Sequence, residues 1–270
     1  MPNIGTVPYC NALPLIHYLP ETLPGVNLSE WFPSAMRLRL QTHLLDIALL
    51  PVAELMHLPG GRIISDCSIA CNGTVRSVLL VSQKPLEQIQ TLSLDTASRS
   101  SITIAQIILQ HFYNLKPKLY KLDAGKPLNG CGSDAFVVIG DPALAYKPSK
   151  YWTCFDLGGL WREKTGLPLV FAAWIGCTES GKIRAETLAD WRNAAAALRT
   201  ARDRGLENIE TILGSKTDFP CSRQEMYEYF TQNIVYTLGT EERKGLQMFF
   251  DLAALHGFTK HRTAVDFIDG

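Results

Sequence analysis

The stretch Ile4-Gly-Thr-Val-Pro-Tyr-Cys-Asn-Ala-Leu-Pro-Leu-Ile-His-Tyr18 decides the fold class. Ile4 to Val7 is a short apolar run of strand character, Asn11 and Pro14 mark a turn, and Leu13 to Tyr18 carries a helical pattern. The same alternation continues outward: Ala35 to Leu40 and Val52 to His57 are helical, with the apolar run Ile47 to Leu50 between them. Strands alternating with helices point to an α/β protein built on parallel strands with crossover helices.

Further along, Ile63 to Ser65 and Val75 to Val81 are expected as strands, the second almost continuously apolar, as in a strand buried on both faces. Strands are also expected at Thr91 to Leu94, Ala135 to Ile139, Trp152 to Leu157 and Leu169 to Ile175. Between the first two of these, Ala105, Ile108, Leu109 and Phe112 share one helical face. The length of 270 residues favours two lobes, each with its own core and with a cleft between them. Ser82-Gln-Lys-Pro85 marks one crossing and Trp174 the return. The expected division is residues 1–83 with 176–270 as one lobe and 84–175 as the other. From Glu186 onward the pattern is helical: Leu188, Trp191, Ala195 and Leu198 form one stripe, and Leu246, Phe249, Phe250 and Ala253 another. Ser222 and Glu225 have the spacing of a capping box, ahead of Met226, Tyr229 and Phe230, which read as core.

Lys and Arg number 26 and Asp and Glu number 26, so a basic surface that would attract nucleic acid or anionic membrane is missing. No apolar run has the length of a spanning helix, and Met1 to Val7 lacks the basic-then-apolar order of a secretion signal. Seven cysteines without framework spacing fit reduced thiols, and a cytoplasmic protein is expected. Cys67 and Cys71 have no second pair to complete a metal set, so neither metal nor organic cofactor is expected, and no obligatory protein partner is inferred. The GxGxxG, GxxxxGK, HExxH and GxSxG signatures are absent.

Four segments carry candidate chemistry. Asp95-Thr-Ala-Ser-Arg-Ser-Ser101 joins a strand to a helix, and Ser98, Ser100 and Ser101 add hydroxyls where free N–H groups and the helix dipole favour an anion. A plain helix cap with surplus serines is the other reading, and Arg99 faces either ligand or solvent. Asn11 lies past a strand end, where ligands of open parallel sheets bind, though such an Asn also serves turns. Cys10 beside it reads as a buried structural thiol, since no His or acid lies near in sequence. Arg76 and Ser77 are neighbours expected on a strand, so only one of them points into the cleft. Ile139-Gly-Asp141 closes a strand, with Asp141 either capping the next helix or standing as an acid at the cleft edge.

Taken together and in this order, these segments resemble the chorismate dehydratase family of the futalosine route to menaquinone. The resemblance rests on Tyr9-Cys-Asn-Ala-Leu-Pro-Leu15, Gly73-Thr-Val-Arg-Ser77, Ser98-Arg-Ser-Ser101, Ile139-Gly-Asp141 and the block from Asp156-Leu-Gly-Gly-Leu-Trp161 to Trp174. It spans Ile4 to Trp174, and Cys10 stands where a more usual residue is apolar. It implies a two-lobed type II periplasmic-binding-protein-like fold and dehydration of chorismate to 3-[(1-carboxyvinyl)oxy]benzoate without a cofactor. Asn11 and Ser77 are the implied catalytic residues, and Ser98 to Ser101 with Ile139, Gly140 and Asp141 the implied substrate contacts. The matched segments offer no His, and their one Lys, Lys164, lies in the block after Asp156 rather than in the four candidate segments, which points to the substrate's own enolpyruvyl carboxylate as proton acceptor, with Asp141 as the rival. Two other functions fit less of the pattern: a non-catalytic receptor for a small carboxylate, and the sister enzyme that forms a dihydroxynaphthoate.

Overall fold

The computed structural model describes residues 2–94, 99–121, 132–178, 185–260 and 265–268. Among the described residues, eleven strands form two mixed sheets. The first sheet uses β1 (Asn3–Thr6), β2 (Asn27–Glu30), β3 (Ile47–Pro51) and β4 (Gly61–Cys71). The second uses β5 (Val78–Ser82), β6 (Thr91–Leu94), β7 (Lys118–Lys121), β8 (Ala135–Ile139) and β9 (Thr153–Asp156). The chain then returns to the first sheet through β10 (Leu169–Cys177) and, after several helices, β11 (Val235–Thr237). The strand orders are β11-β4-β10-β3-β1-β2 and β7-β6-β8-β5-β9.

The expected parallel pairing holds for β1 with β2 and β3, and for β6 with β7 and β8. It fails at β10, which re-enters from the second sheet and runs antiparallel between β3 and β4, at β11, antiparallel to β4, and at β5, antiparallel to both β8 and β9. The lobe boundaries move as well. Val78–Ser82 pairs with β8 and β9, and Leu169–Cys177 pairs with β3 and β4, so the crossings lie after Cys71 and before Leu169 rather than at 83 and 175. An apolar run reveals that a strand is buried, not which sheet buries it. The strand expected at Ile63 to Ser65 extends to Cys71, its polar Asp66 and Ser68 having hidden the rest. Val75 to Ser77 precedes β5 instead of belonging to it, since Arg76 adopts φ 64°, outside the extended region.

The main apolar core runs unbroken from the first sheet to the inner face of the second, taking in Ile4, Leu49, Leu80, Leu92, Trp161 and Trp174. A satellite of Val81, Phe136, Val138, Ala143 and Trp152 covers the other face of the second sheet. Complete burial of each large apolar side chain contributes about 1.5–3 kcal/mol. Helix Ala185–Glu207 packs across β4 and helix Leu13–Ile16. Gly205 lets it approach so closely that a Cβ there would strike the Pro14 carbonyl, which fixes the segment carrying Asn11. The Ser222 and Glu225 capping box forms as its spacing predicts. Among the described residues, no helix is long and apolar enough to cross a membrane.

Candidate functional site

A cleft enclosing about 550 Å³ of space, its open mouth included, lies between the sheets. Its walls are strand ends: Val7 after β1, Pro51 closing β3, and Ile139 with Gly140 at the end of β8. Asn11, Ser77, Ser100 and Ser101 supply polar groups, and Tyr9 and Phe171 supply rings. Every described lining side chain is uncharged, so an anion there is met by hydroxyls, amides and backbone N–H groups.

Of the residues singled out from sequence, the cleft therefore brings together Asn11, Ser77, Ser100, Ser101, Ile139 and Gly140. Ser98 lies outside the described residues, and Arg99 is described only as the backbone start of helix Arg99–Ile107. Ser100 and Ser101 sit in the first turn of that helix, both buried. The Ser100 hydroxyl accepts from Ala53 N at 3.1 Å, which leaves its own proton for a ligand.

Asp141 is not among the lining residues, and it does not cap the helix it begins: Gly140 occupies that position, with no side-chain cap. Its carboxylate instead reaches the first lobe, accepting from Cys10 N at 3.0 Å and from the Cys10 thiol at 3.1 Å. Cys10 is buried, as the sequence predicts. Burial first, and then the hydrogen bond and charge of Asp141, push its thiol up to about 12, so it is not a nucleophile at neutral pH.

Ser77 owes its place to Asp156, whose carboxylate accepts from Val75 N at 3.0 Å and Arg76 N at 2.7 Å while capping helix Leu157–Thr165 through Gly159 N at 2.9 Å. That grip holds Arg76 in its left-handed conformation and turns its guanidinium away toward Glu225, 3.4 Å off, leaving Ser77 to face the cleft. Gly140 donates to the Ser77 carbonyl at 2.8 Å and joins the two edges.

Tyr229, read from sequence as core, belongs to this site. It is buried beside the cleft, and while burial, the largest influence, raises its phenol, the nearby Ser77 and Asn11 side chains act to lower it. Nothing local in the sequence signals this; more than 150 residues separate Tyr229 from Ser77, and only the packing of the C-terminal helices brings them together. Among the described residues no group of three His, Cys, Asp or Glu is arranged to hold a metal ion.

Two mixed α/β sheets facing each other across a cleft of hydroxyls and amides define the class, a periplasmic-binding-protein-like fold. One solved structure of this kind is a Candida albicans gene product reported to exhibit the generic periplasmic binding protein structural fold, at TM-score 0.62 and 12% identity over 100% of this chain and 98% of that one. The family is narrower than the fold: the menaquinone biosynthesis family model matches residues 2–255, and the chain belongs to that family. A chorismate dehydratase of Thermus thermophilus is 26% identical over 269 residues, covering 93% of this chain and 95% of its own. A chorismate dehydratase of Campylobacter jejuni is 29% identical over 177 residues, covering 62% and 64%.

Proposed function

We propose that this protein is a chorismate dehydratase, a carbon–oxygen lyase that converts chorismate to 3-[(1-carboxyvinyl)oxy]benzoate and water. The observation that carries the reading is the convergence of Asn11, Ser77, Ser100 and Ser101 on one uncharged cleft in a chain of the menaquinone biosynthesis family. The names of the relatives from Thermus thermophilus and Campylobacter jejuni support it.

The reaction needs little from the protein beyond placement. The proton leaves the ring carbon that bears the enolpyruvyl ether, that C–H electron pair becomes a ring double bond, and the neighbouring C–O bond breaks. Aromatisation drives the step, and hydroxide leaves as water once protonated. Ser100 and Ser101, at the helix start, anchor one carboxylate, and Asn11 and Ser77 hold the reacting edge. The enolpyruvyl carboxylate takes the ring proton. Asp141 is a poor rival for that role, because its oxygens are already engaged by the Cys10 N–H and thiol.

Ultraviolet monitoring of chorismate with the purified protein tests the reading. Growth of a benzoate-type spectrum is expected. Chorismate that binds tightly but stays unchanged would make the protein a carboxylate receptor instead.

A further inference from the structure

A second opening, enclosing about 530 Å³ of space with its mouth included, lies where helix Pro33–Gln41 meets the outer strands of the first sheet, and it shares no lining residue with the cleft. Asn3 is paired with Asn27, and Gly5 with Ser29, so Asn3, Asn27 and Ser29 point to one face of β1 and β2. Leu45 covers that face at Gly5, where a Cβ would come within 2.6 Å of it. Facing them, the Arg39 guanidinium lies on the Trp31 ring, 3.6 Å from its centroid. Three arginines stack on rings among the described residues. Arg204 also pairs with Glu21 and Arg243 also donates to the Leu238 carbonyl, whereas Arg39 has no ion pair or hydrogen bond among the described residues. The hydrogen bonds already made leave mainly donors to the opening. Ser29 Oγ accepts from Trp31 Nε1 at 2.8 Å and keeps its own proton, and Asn3 Oδ1 accepts from Asn27 Nδ2 at 2.9 Å, which leaves both amide protons of Asn3. Asn27 Oδ1 is the one carbonyl oxygen left among the described lining side chains, and none of these carries negative charge.

We infer that this opening is a second ligand site, which takes a carboxylate or phosphate carried on an apolar body. Arg39 receives the oxyanion through its terminal nitrogens, and Asn3 and Ser29 complete its hydrogen bonds. Stacking on Trp31 holds the guanidinium plane in place, so its fork is already oriented for two oxygens of one anion. Nε is the buried nitrogen of that group, which leaves the terminal pair as the accessible edge. The apolar body follows from Leu44, a lining residue that is 61% exposed beside the buried Leu45. Covering Leu44 removes apolar surface from water, which an inorganic ion cannot do. The inference goes beyond the dehydratase reading and does not rest on it, since the cleft has no charged side chain in its described lining and this opening has Arg39.

Nuclear magnetic resonance of the full chain tests this without any use of turnover. The indole N–H signal of Trp31, assigned by its disappearance in Trp31→Phe, reports on the opening because Trp31 lies under Arg39 and outside the cleft lining. Four probes are titrated: acetate, inorganic phosphate, benzoate and phenyl phosphate. A saturable shift is expected with benzoate or phenyl phosphate, at a half-saturating concentration about tenfold below that of the matching small anion. Whichever aromatic probe saturates first names the oxyanion, and either result supports the site. Arg39→Gln is expected to abolish the response. Arg39→Lys, which keeps the charge but loses the fork, is expected to weaken it about tenfold, and it serves as the test should Arg39→Gln fail to fold. A Trp31 signal that ignores all four probes, or that moves equally in wild type and in the Arg39 variants, would overturn the inference. So would aromatic probes that bind no better than acetate and inorganic phosphate.

Discussion

The backbone N–H of Ala53 donates to the Ser100 hydroxyl at 3.1 Å, so a side chain from the helix after β6 caps a turn that leaves β3 in the other sheet. Asp141 does the same for the turn after β1, through Cys10 N. Two second-lobe side chains thus satisfy N–H groups at two first-lobe strand ends; Ser100 itself lines the cleft, and the Cys10 and Asp141 pair adjoins it through Asn11 and Gly140. Removing the Ser100 hydroxyl leaves the Ala53 N–H buried and unpaired, at a cost of about 1–3 kcal/mol. Ser100→Ala is therefore expected to lower the denaturant midpoint and raise KM for chorismate together. A variant with weaker binding and an unmoved midpoint would mean that Ser100 serves only the ligand.

Asp141→Asn separates capping from base catalysis. The amide keeps an oxygen for Cys10 N but cannot accept a ring proton. Turnover within about tenfold of wild type is expected, against a loss on the order of a hundredfold for Asn11→Ala, which misplaces the reacting edge. Near-total loss in Asp141→Asn, with folding intact by circular dichroism, would make Asp141 the general base.

The two caps also bear on motion. If the lobes part to admit ligand, both cross-lobe hydrogen bonds open, and ligand must supply the free energy that closes them. Solution scattering is expected to show a smaller radius of gyration with 3-[(1-carboxyvinyl)oxy]benzoate than without it, and superimposable profiles would mean a cleft that is permanently shut.

Gly140 has φ 63°, and a Cβ there would stand 2.8 Å from the Tyr9 ring. Gly140→Ala pays about 1–3 kcal/mol for a backbone conformation that is essentially glycine's alone, and it pushes Tyr9 into the space a ligand needs. Lower stability and a higher KM are expected from denaturant titration and kinetics, and the KM effect should shrink when Tyr9 is also replaced by Leu. A KM that stays high in the double variant would place the fault in the backbone instead.

The sequence reveals the strands of the site better than its connections. Asn11, Ser77, Ser100 and Ser101 are legible because each stands within a few residues of a strand end or helix start, where local pattern sets direction. Asp141 is legible as a residue with a role but not in its partner, since capping potential says nothing about which N–H lies within reach, and here it belongs to Cys10. Asp156 holds Val75 and Arg76 from about 80 residues away, and Tyr229 comes near Ser77 from farther still. Neither approach has a periodic signal. The misplaced lobe boundaries have the same origin: hydrophobicity marks β5 and β10 as buried, while sheet membership depends on partners distant in the chain.

Buried thiols give the last prediction, a loss of stability in alkali. Burial is the largest influence on Cys10, Cys67 and Cys71, raising them from 9.0 to about 12, about 11 and about 12; for Cys10 the hydrogen bond and charge of Asp141 add to it, and for Cys71 the charge of Asp156. In the unfolded chain these thiols ionise near 9, so over the next units of pH the unfolded state loses protons that the folded state keeps. The associated stability is complete below pH 9 and drains away as pH climbs toward the folded values, by at most about 1.4 kcal/mol per pH unit for each thiol. Tyr229 and Tyr236, whose phenols burial also raises from 10.0, join only above that value. The interval from pH 9 to 10 therefore isolates the cysteines. Denaturant midpoints are expected to fall across it, and the fall is expected to be shallower in Cys67→Ala and in Cys71→Ala, whatever their starting stability. Slopes identical to wild type in both variants would show that these thiols ionise alike in the folded and unfolded chain.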